Sequence, residues 1–88
     1  LTEVLSMNAY KFVLHQANGR IWSWCFTCEP HLTMDHMDRA VREYRGPDIT
    51  EQLHFSLYQR KPNSSASSLI ERGTTELYDE HGHNSFTF

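Results

Sequence analysis

The chain predicts a two-layer α+β domain, an antiparallel or mixed sheet with an N-terminal hairpin and one main helix, in the order ββαβ(β). Three observations carry this. Two stretches of alternating residues flank Asn18-Gly19. Apolar residues then recur at helical spacing between Thr33 and Arg45. Beyond a Gly-Pro pair, alternation returns twice before the C-terminus.

The first strand spans 8–16. Tyr10, Phe12 and Leu14 share one face, and Lys11, Val13 and His15 the other, the period of a half-buried strand. Asn18-Gly19 predicts a hairpin closed by a type I′ turn, which needs positive φ at both central residues. The return strand covers 21–26, with Trp22, Trp24 and Phe26 opposite Ile21, Ser23 and Cys25. Thr33 then stands where an N-cap would accept an orphan amide, followed by Asp35 and Asp38. Arg42 and Arg45 lie in the last turn, so both ends suit the helix dipole. Met34, Met37, Val41 and Tyr44 form the apolar stripe, and Gly46-Pro47 ends the helix.

Residues 48–61 carry two patterns. Asp48 with Glu51 resembles a capping box, and Ile49, Leu53 and Leu57 would share a helical face. The alternation of Leu53, Phe55 and Leu57 with His54, Ser56 and Tyr58 is tighter and favours a strand from Leu53 to Arg60. Residues 61–68 read as a mobile polar loop, and Leu69 and Ile70 as buried in a short turn. A strand over 74–79, a turn at Glu80–Asn84 and a short strand over 85–88 complete the chain. The element order is similar to the ubiquitin-like β-grasp. That resemblance is one of fold and implies nothing about activity.

Eighty-eight residues suit a single domain, with residues 1–6 read as a flexible extension ahead of Met7 or as part of a longer chain. A domain this size buries roughly 60–65% of its unfolded surface, so the core is small. A net charge of −3 without a basic cluster argues against nucleic acid or a membrane surface as partner. No apolar run reaches the length of a membrane span. Two cysteines are too few for a disulfide framework, which favours reduced thiols and a cytoplasmic setting.

The segment Trp22–His31, WSWCFTCEPH, is the one stretch with chemistry in it. Cys25, Cys28, His31 and His36 supply the donor atoms of tetrahedral zinc, with His81 and His83 as substitutes should the C-terminus fold back. Such a site requires the strand to end near Phe26. Trp24-Cys25-Phe26-Thr27-Cys28 also resembles the W-C-x-x-C of thioredoxin-fold oxidoreductases, which implies a dithiol with a low-pKa first cysteine at a helix N-terminus. Here the inferred helix start lies past Cys28, and Thr74 or Thr75 stands where that family carries a cis-proline. The plainest reading makes both cysteines small buried residues of a strand end, without a cofactor.

Glu29, Asp35, His36 and Asp38 can be drawn as acid–base groups, but acids at a helix start serve the helix. No phosphate loop, nucleophile elbow or paired-carboxylate signature is present. The expectation is therefore a non-enzymatic protein-interaction or self-associating module, acting through a protein partner or as a homo-oligomer. His54, Tyr58 and Arg60, on the less apolar face of their strand, are the candidate contact residues.

Overall fold

The computed structural model describes residues 7–45, 51–61, 63–77 and 80–88. β1 (Asn8–His15) and β2 (Ile21–Cys28) pair antiparallel without interruption, from Asn8 opposite Cys28 to His15 opposite Ile21. The turn lies where Asn18-Gly19 places it, but its type differs. Among the described residues of this loop only Gly19 has positive φ (89°). Gln16 N–H donates to the Arg20 carbonyl at 2.9 Å, and Gly19 N–H to the Gln16 carbonyl at 3.0 Å. This is a three-residue loop with glycine in the left-handed position, not the two-residue type I′ turn. Asn18 acts instead through its side chain, whose Oδ1 accepts the Arg20 N–H at 2.9 Å.

α1 (Thr33–Arg45) has the predicted bounds, but a 3₁₀ turn over Pro30–Leu32 precedes it. Thr33 is already helical (φ −60°, ψ −40°), and its Oγ1 donates to the Pro30 carbonyl at 3.0 Å. It is therefore not the N-cap. Proline at the first position starts the turn, because its fixed φ suits a helix and its missing amide is no loss there. Met37, Ala40 and Val41 are the buried apolar residues of the helix, whereas Met34 is 43% exposed and falls outside the stripe. The helix stop at Gly46-Pro47 and the Asp48 capping box lie outside the described residues.

β3 (Leu53–Arg60) is a strand, as the alternation favoured. β4 (Ser68–Leu77) is longer than expected and takes in Leu69 and Ile70, which are 42% and 40% exposed rather than buried in a turn. A bulge explains the misreading. Leu57 pairs with Glu71 and Tyr58 with Leu69, so Ile70 is the extra residue that breaks the alternation. Tyr78 and Asp79, the expected end of this strand, lie outside the described residues. β5 (Asn84–Thr87) closes the chain.

The five strands form one sheet in the order β2-β1-β3-β4-β5, with every neighbouring pair antiparallel. The likeness to the β-grasp is thus confined to element order. α1 covers one face, against Tyr10, Phe12, Leu14, Leu53, Phe55 and Leu57. The sheet is strongly coiled around this core. β1 and β5 are separated by two strands, yet the rings of Phe12 and Phe86 are 6.5 Å apart. At Gly73 the chain ends so close that an added Cβ would run into the Thr87 carbonyl, and would lie 2.9 Å from its carbon and 3.1 Å from Phe88 Cα. Phe88 then sets its ring edge-on to Phe55 at 5.8 Å.

Arg45, which the sequence marks only as a last-turn charge suited to the helix dipole, is 3% exposed. Its Nε donates to Asn84 Oδ1 at 3.0 Å, Nη2 to the Thr75 carbonyl at 3.2 Å, and Nη1 to the Glu51 carbonyl. Asn84 in turn donates from its backbone N–H (2.8 Å) and its side chain (3.0 Å) to Asp38 Oδ1. Burial pulls the Arg45 pKa down from its ordinary value, against the opposing charges of Glu51, Tyr44 and Glu76. Among the described residues no buried side-chain nitrogen or oxygen is left without a partner. This network fastens the end of α1 to β4 and β5, where the small core alone would hold them weakly.

Candidate functional site

β2 runs unbroken to Cys28, two residues past its expected end, and this settles where the cysteines point. Side chains alternate along a strand, so Cys25 and Cys28 lie on opposite faces. Cys25 is exposed on the helix-free face, and Cys28 is buried in the core at 3% exposure. Three residues of extended chain separate their Cα atoms by about 10 Å. A disulfide tolerates at most about 6.8 Å, so the strand would have to break to join them. Burial, then the charge of Glu29, raises the Cys28 pKa above its ordinary value, the reverse of an activated thiolate.

The other proposed metal ligands are dispersed as well. His31 sits on the 3₁₀ turn with Nδ1 3.5 Å from Glu29 Oε1, and its side chain is 71% exposed. His36 lies flat on the Phe26 ring, with centroids 4.8 Å apart and an interplanar angle of 4°. His81 and His83 flank Gly82 in the turn before β5. Among the described residues no three His, Cys, Asp or Glu side chains are grouped to hold a metal ion.

The helix-free face carries the predicted contact residues. His54, Tyr58 and Arg60 alternate along β3 with the buried Leu53, Phe55 and Leu57 and project on the opposite side. β3 lies between β1 and β4, however, so its backbone is committed to the sheet and only its side chains are available. Ser67 reaches over this face from the 63–67 segment and helps line a hollow of about 290 Å³ with Lys11, Cys25, Tyr58 and Arg60. A neighbouring hollow over Val13, His15 and Ile21 shares Lys11, Tyr58 and Ser67. His15 Nε2 lies 3.3 Å from Ser56 Oγ on the same face, a side-chain bridge between adjacent strands.

Among the described residues the sheet has two edges, β2 and β5. β5 has four residues, and short edges offer little to pair with. β2 has eight, IWSWCFTC, with no charged residue, no proline and no bulge in its pairing with β1. These are the devices that ordinarily blunt an edge strand, and β2 lacks all of them. The hairpin geometry also fixes which backbone groups face outward. Gln16 and Arg20 form the hydrogen-bonded pair that closes the loop. Antiparallel pairs alternate from there, so Ile21, Ser23, Cys25 and Thr27 fall in the non-bonded pairs with β1. The N–H and C=O of those residues therefore point away from the sheet.

The side chains of β2 divide between the two faces of the sheet. Trp22, Trp24 and Phe26 project onto the helix side, where they are half-buried. Trp22 meets Trp24 at 5.6 Å and Tyr44 at 5.4 Å, and Phe26 stacks on Tyr10 at 5.3 Å. Between them the exposed Ile21, Ser23, Cys25 and Thr27 form a smooth row of small or apolar side chains on the other face, with Ile21 65% exposed. The sequence reading marked this segment for its cysteines. The pairing of β1 with β3 is what leaves β2 at the edge, and the absence of charge over its eight residues leaves that edge unblunted.

Among the described residues no helix is long and apolar enough to cross a membrane. No family model matches the chain, and neither a curated protein nor a solved structure matches it.

Proposed function

We propose that the domain is a non-enzymatic interaction module whose β2 edge accepts a further strand. The observation that carries the reading is the combination of length, zero charge and outward-facing backbone in β2. Strand addition supplies affinity through main-chain hydrogen bonds, while alternate side chains set specificity. The half-buried row Trp22, Trp24 and Phe26 is suited to the second task. Two free cysteines, one of them exposed, favour a reducing, cytoplasmic setting for such a domain.

The competing surface is the helix-free face with His54, Tyr58 and Arg60, where the hollows lie. Peptides selected by display against the immobilised domain separate the two. Ser23→Pro removes one outward amide while leaving the ladder to β1 intact, because the Ser23 N–H points to the open edge. Binding through the edge weakens at least about tenfold in Ser23→Pro, the cost of one lost main-chain bond with its strand distortion, and survives Tyr58→Ala. Peptides that bind Ser23→Pro as well as wild type but lose Tyr58→Ala would move the site to the face and overturn the edge reading.

A further inference from the structure

We infer that the strand β2 accepts is β2 of a second copy of this chain, antiparallel and centred on Trp24. The inference rests on the edge reading above and names its occupant.

A two-fold axis normal to the sheet is the operation that joins two copies of one edge strand antiparallel. It places residues of like parity opposite each other. Centred on Trp24, it sets Ile21 opposite Thr27 of the second copy and Ser23 opposite Cys25. Those are the four residues whose N–H and C=O face outward, so every outward group of β2 meets one of its copy. On the helix side Trp22 then faces Phe26 and Trp24 faces Trp24, which continues the aromatic row across the junction. Centred on Cys25 instead, the ladder would run Ile21 past the end of the strand at Cys28.

Charge supports the same occupant. β2 carries no charge, so no like charges meet along the seam. The residues that bracket it are Arg20 and Glu29, both exposed and of opposite sign. The Trp24-centred register sets Arg20 of each copy opposite Cys28 and Gly19 opposite Glu29 of the other, so the two opposite charges fall one residue apart at both ends of the ladder. Two five-stranded sheets thus become one continuous sheet, with both helices on the same side.

The test uses the one exposed thiol. Wild type presents Cys25, while Cys28 is buried. A second chain, Ser23→Cys with Cys25→Ser, presents its thiol at position 23. In the Trp24-centred register positions 23 and 25 of opposite copies are a bonded pair with Cα atoms about 5.5 Å apart, within disulfide reach. Cys25 to Cys25, or 23 to 23, is a diagonal of about 7–8 Å and beyond it. The two chains, one isotopically labelled, are mixed, oxidised mildly and weighed by mass spectrometry without reductant. The mixed disulfide is expected to form roughly tenfold faster than either homodisulfide, as an intramolecular reaction within the dimer. A dominant wild-type homodisulfide would overturn the Trp24 centre. Slow formation in statistical proportions would overturn self-pairing altogether. In that case the display peptides still decide whether β2 accepts a strand from elsewhere, so the two readings fail separately.

Discussion

Replacing Arg45 with methionine should cost about 2–4 kcal/mol of folding stability, because it leaves buried acceptors without a donor. Among the described residues these include Asn84 Oδ1, the Thr75 carbonyl and the Glu51 carbonyl. Glu51 is exposed and its carbonyl can turn to water. Thr75 is 1% exposed, and Asn84 is half-buried beneath the end of α1, so water does not readily replace the guanidinium at these two. Each such group costs about 1–3 kcal/mol. Methionine refills much of the volume and removes the desolvation of the guanidinium, which offsets part of the sum. An 88-residue domain has roughly 4–13 kcal/mol in all, so the loss is a large fraction. Urea unfolding followed by tryptophan fluorescence measures it, since Trp22 packs on Tyr44 next to Arg45. Arg45→Lys should recover only part, because one ammonium cannot reach three diverging acceptors. A loss below about 1 kcal/mol at unchanged m-value would refute the argument that Arg45 fastens α1 to the far edge of the sheet.

Other outcomes follow from single contacts. Gly73→Ala should destabilise by about 1–3 kcal/mol, since the new methyl meets the backbone of Thr87 and β5 must shift; an unchanged melting temperature would show that β5 does not lie where the structure puts it. Cys25 should react with a thiol reagent in the folded protein and Cys28 only after unfolding, because Cys28 is buried and its thiol is held protonated; equal native rates would contradict the alternation of β2. The raised Cys28 pKa also makes stability depend on alkaline pH. Its contribution is intact below the ordinary value of 9.0 and is lost as pH rises through the folded value, because the unfolded thiol gives up its proton first. Urea midpoints should therefore fall as pH rises above about 9, less so in Cys28→Ala.

The fold was legible where one period ran uninterrupted. β1, α1 and β3 follow from the alternation of Tyr10, Phe12 and Leu14, the spacing of Met37, Val41 and Tyr44, and the alternation of Leu53, Phe55 and Leu57. Misreadings fell where tertiary contacts override local pattern. The bulge at Ile70 hides the first half of β4, because one extra residue inverts the alternation. Arg45 looks the same as Arg42 in sequence, and only the return of β5 distinguishes the buried one. Gly73 inside a stretch of strand carried a usable signal, since glycine there often marks a close approach of backbone. The cysteine cluster was drawn together by spacing alone. The continuation of β2 through Cys28 separates it, for a reason no spacing could supply: Asn8 and Ala9 on β1 are present to pair with Cys28 and Thr27.

The most direct test of the edge is residue-resolved amide hydrogen exchange along β2, in dilute protein and at concentrations where sedimentation shows association. In the dilute protein Trp22, Trp24 and Phe26, bonded to β1, should be protected, while Ile21, Ser23, Cys25 and Thr27 exchange freely. On association those four amides should become protected together. Protection of all seven in the dilute monomer would mean that the edge is already covered, and association that leaves the four unprotected would place the contact elsewhere. Either result would contradict the account.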